Sequence, residues 1–87
     1  IFYTNFKNAN LENANFKNAD LKFANFYSAN LANADLSETD LRKAFLSNAN
    51  LTNANLDGAN LEGATLGNAI LTNANLKCVN HPICESD

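Results

Sequence analysis

Large apolar residues recur in this chain at every fifth position. From residue 4 to residue 78 the sequence divides into fifteen consecutive pentads, each with Leu or Phe at its third position. Ala occupies the first position in thirteen of these pentads, and Asn or Asp occupies the second position in twelve. Such self-similarity is typical of solenoid proteins. The third positions are the predicted core residues: Phe6, Leu11, Phe16, Leu21, Phe26, Leu31, Leu36, Leu41, Leu46, Leu51, Leu56, Leu61, Leu66, Leu71 and Leu76.

A period of five excludes both ordinary secondary structures. On an α-helix a step of five residues rotates by about 140°, so the apolar residues would spread around the whole circumference. On a long strand, where side chains alternate between faces, an odd period would send successive leucines to opposite sides. The chain is therefore predicted to turn once per pentad. Ala and Leu or Phe then face inward, Asn or Asp faces outward, and the last two residues form the corner.

This register resembles the Ala-(Asn/Asp)-Leu-x-x motif of the pentapeptide-repeat family, as in Ala9-Asn10-Leu11, Ala34-Asp35-Leu36 and Ala54-Asn55-Leu56. The resemblance covers roughly residues 4–78 and implies an all-β fold, a right-handed quadrilateral β-helix of about four coils. Residues 1–79 are predicted to form the β-helix and residues 80–87 a short C-terminal cap. Such a coil is also expected to stack outward amides into two ladders, formed by Asn13, Asn33, Asn53 and Asn73 and by Asn10, Asn30 and Asn50.

The C-terminal segment contains both cysteines. A disulfide between Cys78 and Cys84 would pin the cap and would place the protein in an oxidising compartment, whereas two free thiols would suit the cytosol. The same segment can be interpreted as a metal site of Cys78, His81 and Cys84 with Asp87, although structural zinc normally takes four ligands in a familiar spacing. We therefore predict no metal site, and we interpret His81 as a loop residue without a special role. Ile83 is expected to cover the last coil.

Four aromatic residues depart from the repeat pattern on the outer surface, near one corner: Tyr3, Phe23, Tyr27 and Phe45. The core does not need them, so they form a candidate protein-binding or dimerisation patch. The alternative is that aromatic stacking merely replaces polar stacking between coils. The apolar N-terminal residues 1–3 suggest a missing cap or an end-to-end partner, so both an end-to-end and a side-by-side homodimer are considered.

Charge and composition exclude several classes of function. The chain has 6 basic and 9 acidic residues and a net charge of -3, which argues against binding to nucleic acid or to an anionic membrane. Acidic residues such as Asp20 and Asp40 are interspersed with Lys22 and Arg42, as on an ordinary solvated surface. With a single histidine and no concave cleft, the chain offers no catalytic constellation. We predict no enzyme activity and no cofactor.

The sequence thus favours a non-enzymatic protein-interaction or scaffold module whose protein partner is unknown. Two alternatives come from other classes: a DNA mimic that binds DNA gyrase, as the resemblance implies for some family members, and a flat surface that orders a ligand or water. The chain is too short and too weakly acidic for the first, and its threonines are too scattered for the second. The resemblance to cyanobacterial and plastid proteins, together with the cysteine pair, favours the periplasm or thylakoid lumen over the cytoplasm.

Overall fold

The computed structural model describes residues 4–85 as a parallel stack of coils. Each outward second-position residue forms a parallel bridge with the residue twenty positions later, beginning with Asn5 and Asn25 and continuing to Asn55 and Asn75. One turn of the chain therefore contains four pentads. The extended segments are so short that they appear as isolated bridges from residue 5 to residue 79, without a longer strand or a helix in the described range. The molecule measures 33 × 24 × 23 Å.

Each corner from Asn8 to Asn73 is a tight turn whose second central residue adopts a left-handed conformation. The carbonyl of Phe6 accepts a hydrogen bond from the amide of Ala9 at 3.0 Å, and Asn8 between them has a φ of 61°. Asn tolerates this conformation better than most residues, and Gly adopts it without a steric penalty. This requirement explains why Asn dominates the fifth position of the pentads and why Gly58 and Gly63 are found there.

Backbone hydrogen bonds join each coil to the next at three points per pentad. The amide of Leu31 donates to the carbonyl of Asn50 at 2.8 Å, and the amide of Asn50 donates back to the carbonyl of Ala29 at 2.9 Å. At the corner, the amide of Asn33 donates to the carbonyl of Thr52 at 2.8 Å. Because these bonds repeat along the stack, most backbone polar groups of the inner coils are satisfied without long strands.

The predicted amide ladders are not present among residues 4–85. The corner asparagines of the first predicted ladder stack through their backbone, and their side chains form no hydrogen bond between coils. In the second, the side-chain oxygen of each asparagine accepts the amide two residues later, as Asn30 does from Ala32 at 3.1 Å. The second ladder was wrong because the turn uses the oxygen that a ladder would need. The second-position Asn side chains therefore stabilise the corners that follow them, whereas the corner asparagines contribute through their left-handed backbone.

The core is a continuous column of Leu, Phe and Ala. The predicted core residues of the inner coils, from Leu21 to Leu61, are all buried, whereas those of the outer coils are partly buried and pack against the column. Terminal coils have a neighbour on one side only, which explains the difference. At the N-terminal end the rings of Phe6 and Phe26 stack with centroids 4.9 Å apart, and Phe16 meets both rings edge-on.

Thr39 occupies a first position that is usually Ala. It is buried, and its hydroxyl donates a hydrogen bond of 2.6 Å to the carbonyl of Leu36. At other corners that carbonyl accepts a backbone amide instead. The hydroxyl therefore satisfies the carbonyl while its added volume fits inside the column, so this departure from the repeat needs no functional explanation.

The repeat ends one residue early. Val79 pairs with Asn60, a step of nineteen residues, and the segment after it folds back over the last coil. Ile83 packs against the core column, and the amide of Glu85 donates to the carbonyl of Leu76 at 2.7 Å. Nothing among residues 4–85 forms a helix long and apolar enough to cross a bilayer.

Candidate functional site

Three of the outer aromatic residues gather on one side of the molecule. We call this surface the aromatic face, defined by residues 4–8, 24–28, 44–48 and 64–68 and the corner residues Phe23 and Lys43. Phe45 lies directly above Asn25, to which it is bridged, while Phe23 and Tyr27 flank Asn25 on either side along the chain. Tyr27 is 39% exposed and Phe45 52%. Tyr3 lies outside the described residues.

Two shallow hollows lie beside Phe45. The larger, of about 340 Å³, is lined by Lys7, Asn25, Tyr27 and Phe45. The smaller, of about 240 Å³, is lined by Asn5, Phe23, Asn25 and Phe45. Their sizes lie near or below the lower limit of about 300 Å³ for small-molecule pockets. The hollows therefore suit single protruding side chains of a partner.

Lysines pack over two of the three rings. The ammonium nitrogen of Lys7 lies 5.7 Å from the centroid of the Tyr27 ring, and that of Lys43 lies 5.8 Å from the centroid of the Phe23 ring. Both distances fall within the range of cation–π attraction. The phenol oxygen of Tyr27 also accepts a hydrogen bond of 2.7 Å from the side chain of Asn48, which fixes the position of the ring.

The backbone conformation of Phe23 is unfavourable for its residue type. It has a φ of 64°, the same left-handed corner conformation that Asn8 and Asn68 adopt in other pentads. A left-handed conformation costs a residue with a side chain about 1 to 2 kcal/mol, and an aromatic ring, unlike an Asn side chain, cannot hydrogen-bond to the backbone of its own turn. Such residues cluster at functional sites, so Phe23 is a candidate binding residue.

A separate group of ion pairs lies next to this face. Arg42 binds Asp40 through two hydrogen bonds, from Nε at 2.9 Å and from Nη2 at 2.7 Å. Lys22 binds Asp20 at 2.9 Å and reaches Asp40 at 3.4 Å. The Arg42 hydrogen bonds hold the pKa of Asp40 down to about 2, and the Lys22 hydrogen bond lowers that of Asp20. These four charges neutralise one another.

Three residues that the pentad pattern does not single out complete the aromatic face. Lys7 lies twenty residues before Tyr27, and Lys43 lies twenty residues after Phe23, so each lysine stacks in the coil next to its ring. Asn48 is the third such residue, because it holds the hydroxyl of Tyr27. A search for cations twenty residues from each outer aromatic residue would have found both lysines.

At the C-terminal end, Cys78 and Cys84 form a disulfide, with Sγ atoms 2.09 Å apart. Both sulfurs are therefore occupied and neither is a thiolate ligand, and residues 4–85 contain no cluster suited to a metal. The interpretation of His81 as a residue without a role was wrong. Its Nε2 lies 3.1 Å from the carbonyl oxygen of Ala64, and its Nδ1 accepts the amide of Ile83 at 3.2 Å. His81 thus caps an open carbonyl of the last coil.

Comparisons with known proteins agree with this architecture. A family model described as pentapeptide repeats matches residues 3–31, 29–68 and 54–80, with 8 copies. A pentapeptide repeat protein from the Arabidopsis thaliana thylakoid lumen is 44% identical with a TM-score of 0.88, and the match covers 99% of this chain and 61% of that one. A pentapeptide repeat protein from Nostoc Pcc 7120 is 40% identical with a TM-score of 0.77, over 87% of this chain and 69% of that one.

The chain thus spans 61% of the length of the Arabidopsis protein. A search of curated protein sequences found no significant match. The structural matches imply that the stack of coils is a right-handed β-helix.

Proposed function

The chain belongs to the pentapeptide-repeat family, and from this premise we propose that it is a non-enzymatic module that binds a protein partner through its aromatic face. One observation carries the proposal: Phe23, Tyr27 and Phe45 surround Asn25 on the outside of a molecule whose core is already filled. Aromatic residues are enriched at the energetic centres of protein interfaces. The left-handed conformation of Phe23 supports the same conclusion, because local folding would favour Asn or Gly there.

The proposed architecture gives this module flat outer surfaces. Four corners per twenty residues and short dimensions of 24 and 23 Å support a quadrilateral cross-section. On this basis we propose that the β-helix has about four coils and covers residues 4–79 of the described range, with residues 80–85 as its cap; the predicted extensions to residues 1 and 87 lie outside the described residues. A flat surface made of short stacked segments can present side chains from several coils to one partner.

The absence of catalysis is part of the proposal. The carboxylate with the most perturbed pKa, Asp40, is held ionised by Arg42 and is therefore unsuited to exchange protons near neutral pH. It lies beside Lys22, whose charge it shares with Asp20. This arrangement keeps the Asp40 carboxylate ionised and does not make it an acid or base that exchanges protons near neutral pH.

For localisation, we propose the thylakoid lumen or the periplasm. A protein 44% identical to this chain comes from the thylakoid lumen. The disulfide between Cys78 and Cys84 supports an oxidising compartment, since glutathione and thioredoxin keep most cytosolic thiols reduced. Titration of thiols under denaturing conditions, on protein isolated from its native compartment, tests this. Finding two reactive thiols would contradict the proposal.

The binding proposal is tested by partner capture from the native source with three versions of the chain. The wild type is compared with a double variant, Phe23→Asn with Phe45→Asn, and with a control variant, Ile70→Asn. Asn occupies the same pentad position as each substituted residue elsewhere in the repeat, so all three chains are expected to fold. Ile70 is an exposed apolar residue on a different side, 49% accessible.

We expect the wild type and Ile70→Asn to recover the same partner, and the double variant to lose it. Thermal unfolding of the double variant should occur at the same temperature or higher, because Asn relieves the conformation at position 23. Loss of capture without loss of stability assigns the rings to binding. Equal recovery by all three proteins would refute the role of the aromatic face.

A further inference from the structure

Beside Phe45, the side chains of Asn5 and Asn25 present free hydrogen-bond donors. The side-chain oxygens of Asn5 and Asn25 already accept the amides of Lys7 and Tyr27, at 3.0 and 2.9 Å. Within residues 4–85 the side-chain amide hydrogens of Asn5 and Asn25 have no acceptor. Tyr27 accepts a hydrogen bond from Asn48, so its own hydroxyl hydrogen also remains able to donate. A partner segment with hydrogen-bond acceptors therefore matches these donors beside Phe45.

The same face is positively charged, although the whole chain carries a net charge of -3. The pentads 4–8, 24–28, 44–48 and 64–68 contain no Asp and no Glu. Within residues 4–85 neither Lys7 nor Lys43 forms a salt bridge, in contrast to Lys22 and Arg42, which are paired with Asp20 and Asp40. Neither lysine is thus neutralised by a salt bridge, although Glu62 lines the hollow next to Lys43, and the two ammonium groups beside the rings complement an anionic partner.

From these observations we infer that the aromatic face binds an acidic segment of a partner protein, with an apolar side chain of that segment in the hollow beside Phe45 and its carboxylates near Lys7 and Lys43. The inference rests on the proposed function and specifies the partner's chemistry. Charge complementarity selects the segment, and the hollows of about 340 and 240 Å³ accept its side chains. The donors of Asn5 and Asn25 bond to its carboxylate or carbonyl oxygens.

The test uses three synthetic peptides of equal length. The first contains Asp and Glu around one Phe, the second replaces each acid by its amide, and the third replaces the Phe by Ala. Binding to the full chain is measured by fluorescence anisotropy, and the bound surface is identified from backbone amide shifts in nuclear magnetic resonance spectra. We expect the first peptide to bind about fivefold to tenfold more tightly than either of the others.

The preference for the acidic peptide over its amide version should weaken between about 0.1 M and about 1 M NaCl, as the screening length falls from ~10 Å to ~3 Å. It should also disappear in the double variant Lys7→Gln with Lys43→Gln. The matched control, Lys17→Gln with Lys77→Gln, changes the net charge equally on another side of the molecule and should retain the preference. Shifts should concentrate on Asn25 and Phe45.

Three results would overturn the inference. If the acidic and amide peptides bind equally and Phe23→Asn with Phe45→Asn abolishes both, the partner is not acidic although the aromatic face still binds protein. If no peptide binds, the inference fails, and partner capture by the ring variants decides the proposed function separately. If sedimentation shows a dimer that the ring variants abolish, the occupant of the face is a second copy of this chain.

Discussion

The ion pairs around Asp40 give a prediction whose size follows from the structure. We expect Asp40→Asn to lower the free energy of unfolding at pH 7. Asn keeps the turn intact, as Asn60 shows at the equivalent position of the next coil. The side-chain oxygen of Asn60 accepts the amide two residues later, that of Glu62, just as the oxygen of Asp40 accepts the amide of Arg42. The substitution therefore removes the negative charge bound by Arg42 and Lys22 without removing the acceptor that the corner needs.

The magnitude is bounded by the pKa of the carboxylate. Asp40 has a pKa of about 2 in the folded protein against an ordinary value of 3.8. At about 1.4 kcal/mol per pH unit, this separation corresponds to an upper limit of about 2.4 kcal/mol. The Arg42 side chain is 44% exposed, and solvent screens exposed ion pairs to about 1 kcal/mol or less. We therefore expect a loss of about 1 kcal/mol.

The pH dependence has a definite sign. Because the folded pKa lies below the unfolded value, the ionised carboxylate stabilises the fold above pH 3.8, and this contribution is lost as the pH falls through about 2. Urea unfolding followed by circular dichroism at several pH values measures it. The difference between wild type and Asp40→Asn should be largest at pH 7 and should decrease as the pH falls from about 5 towards the folded pKa.

Asp57→Asn provides the control, since it removes one carboxylate that has no ion pair among residues 4–85. It should change the stability by less than about 0.5 kcal/mol at every pH. The reasoning is refuted if Asp57→Asn costs as much as Asp40→Asn, or if the Asp40→Asn difference is the same at pH 7 and pH 3.

Three further predictions concern the column and its cap. Leu46→Ala should destabilise the protein by about 3 to 5 kcal/mol, measured by urea unfolding, because Leu46 is fully buried and the stacked coils leave little room for collapse; a loss below about 1 kcal/mol would contradict this. Ala54→Leu should cost about 1 to 3 kcal/mol or prevent folding, because Ala54 is buried where the coil needs a small residue; unchanged stability would show space that the structure does not have. Reducing the disulfide between Cys78 and Cys84 should cost about 2 kcal/mol and speed hydrogen exchange mainly in the last coil, because the bond closes a short loop at one end; uniform acceleration along the stack would argue against a local cap.

The aromatic face shows which residues a single sequence can identify and which depend on contacts between coils. Phe23 and Phe45 were identifiable because each replaces a residue that the pentad pattern expects. Lys7 and Lys43 carry no such mark, since a lysine at an outer position is ordinary. Their importance comes from stacking against a ring in the neighbouring coil, at 5.7 and 5.8 Å from the ring centroids, and only the pairing of coils creates that contact.

The sequence by itself determined the pentad, the inward leucines and the positions of the corners, because each depends on interactions within about five residues. The period of five excluded helix and strand and placed a corner at the end of each pentad, such as the one at Asn8, whose left-handed conformation came from the structure. The sequence did not determine which pentads lie above one another. That register depends on the summed angle of four corners and on hydrogen bonds between residues twenty apart.

Tertiary structure alone decided the features that depend on contacts between residues far apart in the sequence. The predicted ladder through Asn30 was wrong because the turn uses the oxygen of that side chain. The role of His81 depends on the open carbonyl of Ala64, which is seventeen residues away in sequence and 3.1 Å away in space. Val79 pairs one residue early, so that the cap can fold over the column. Short-range chemistry sets the repeat, and contacts between coils decide which exposed residues act together.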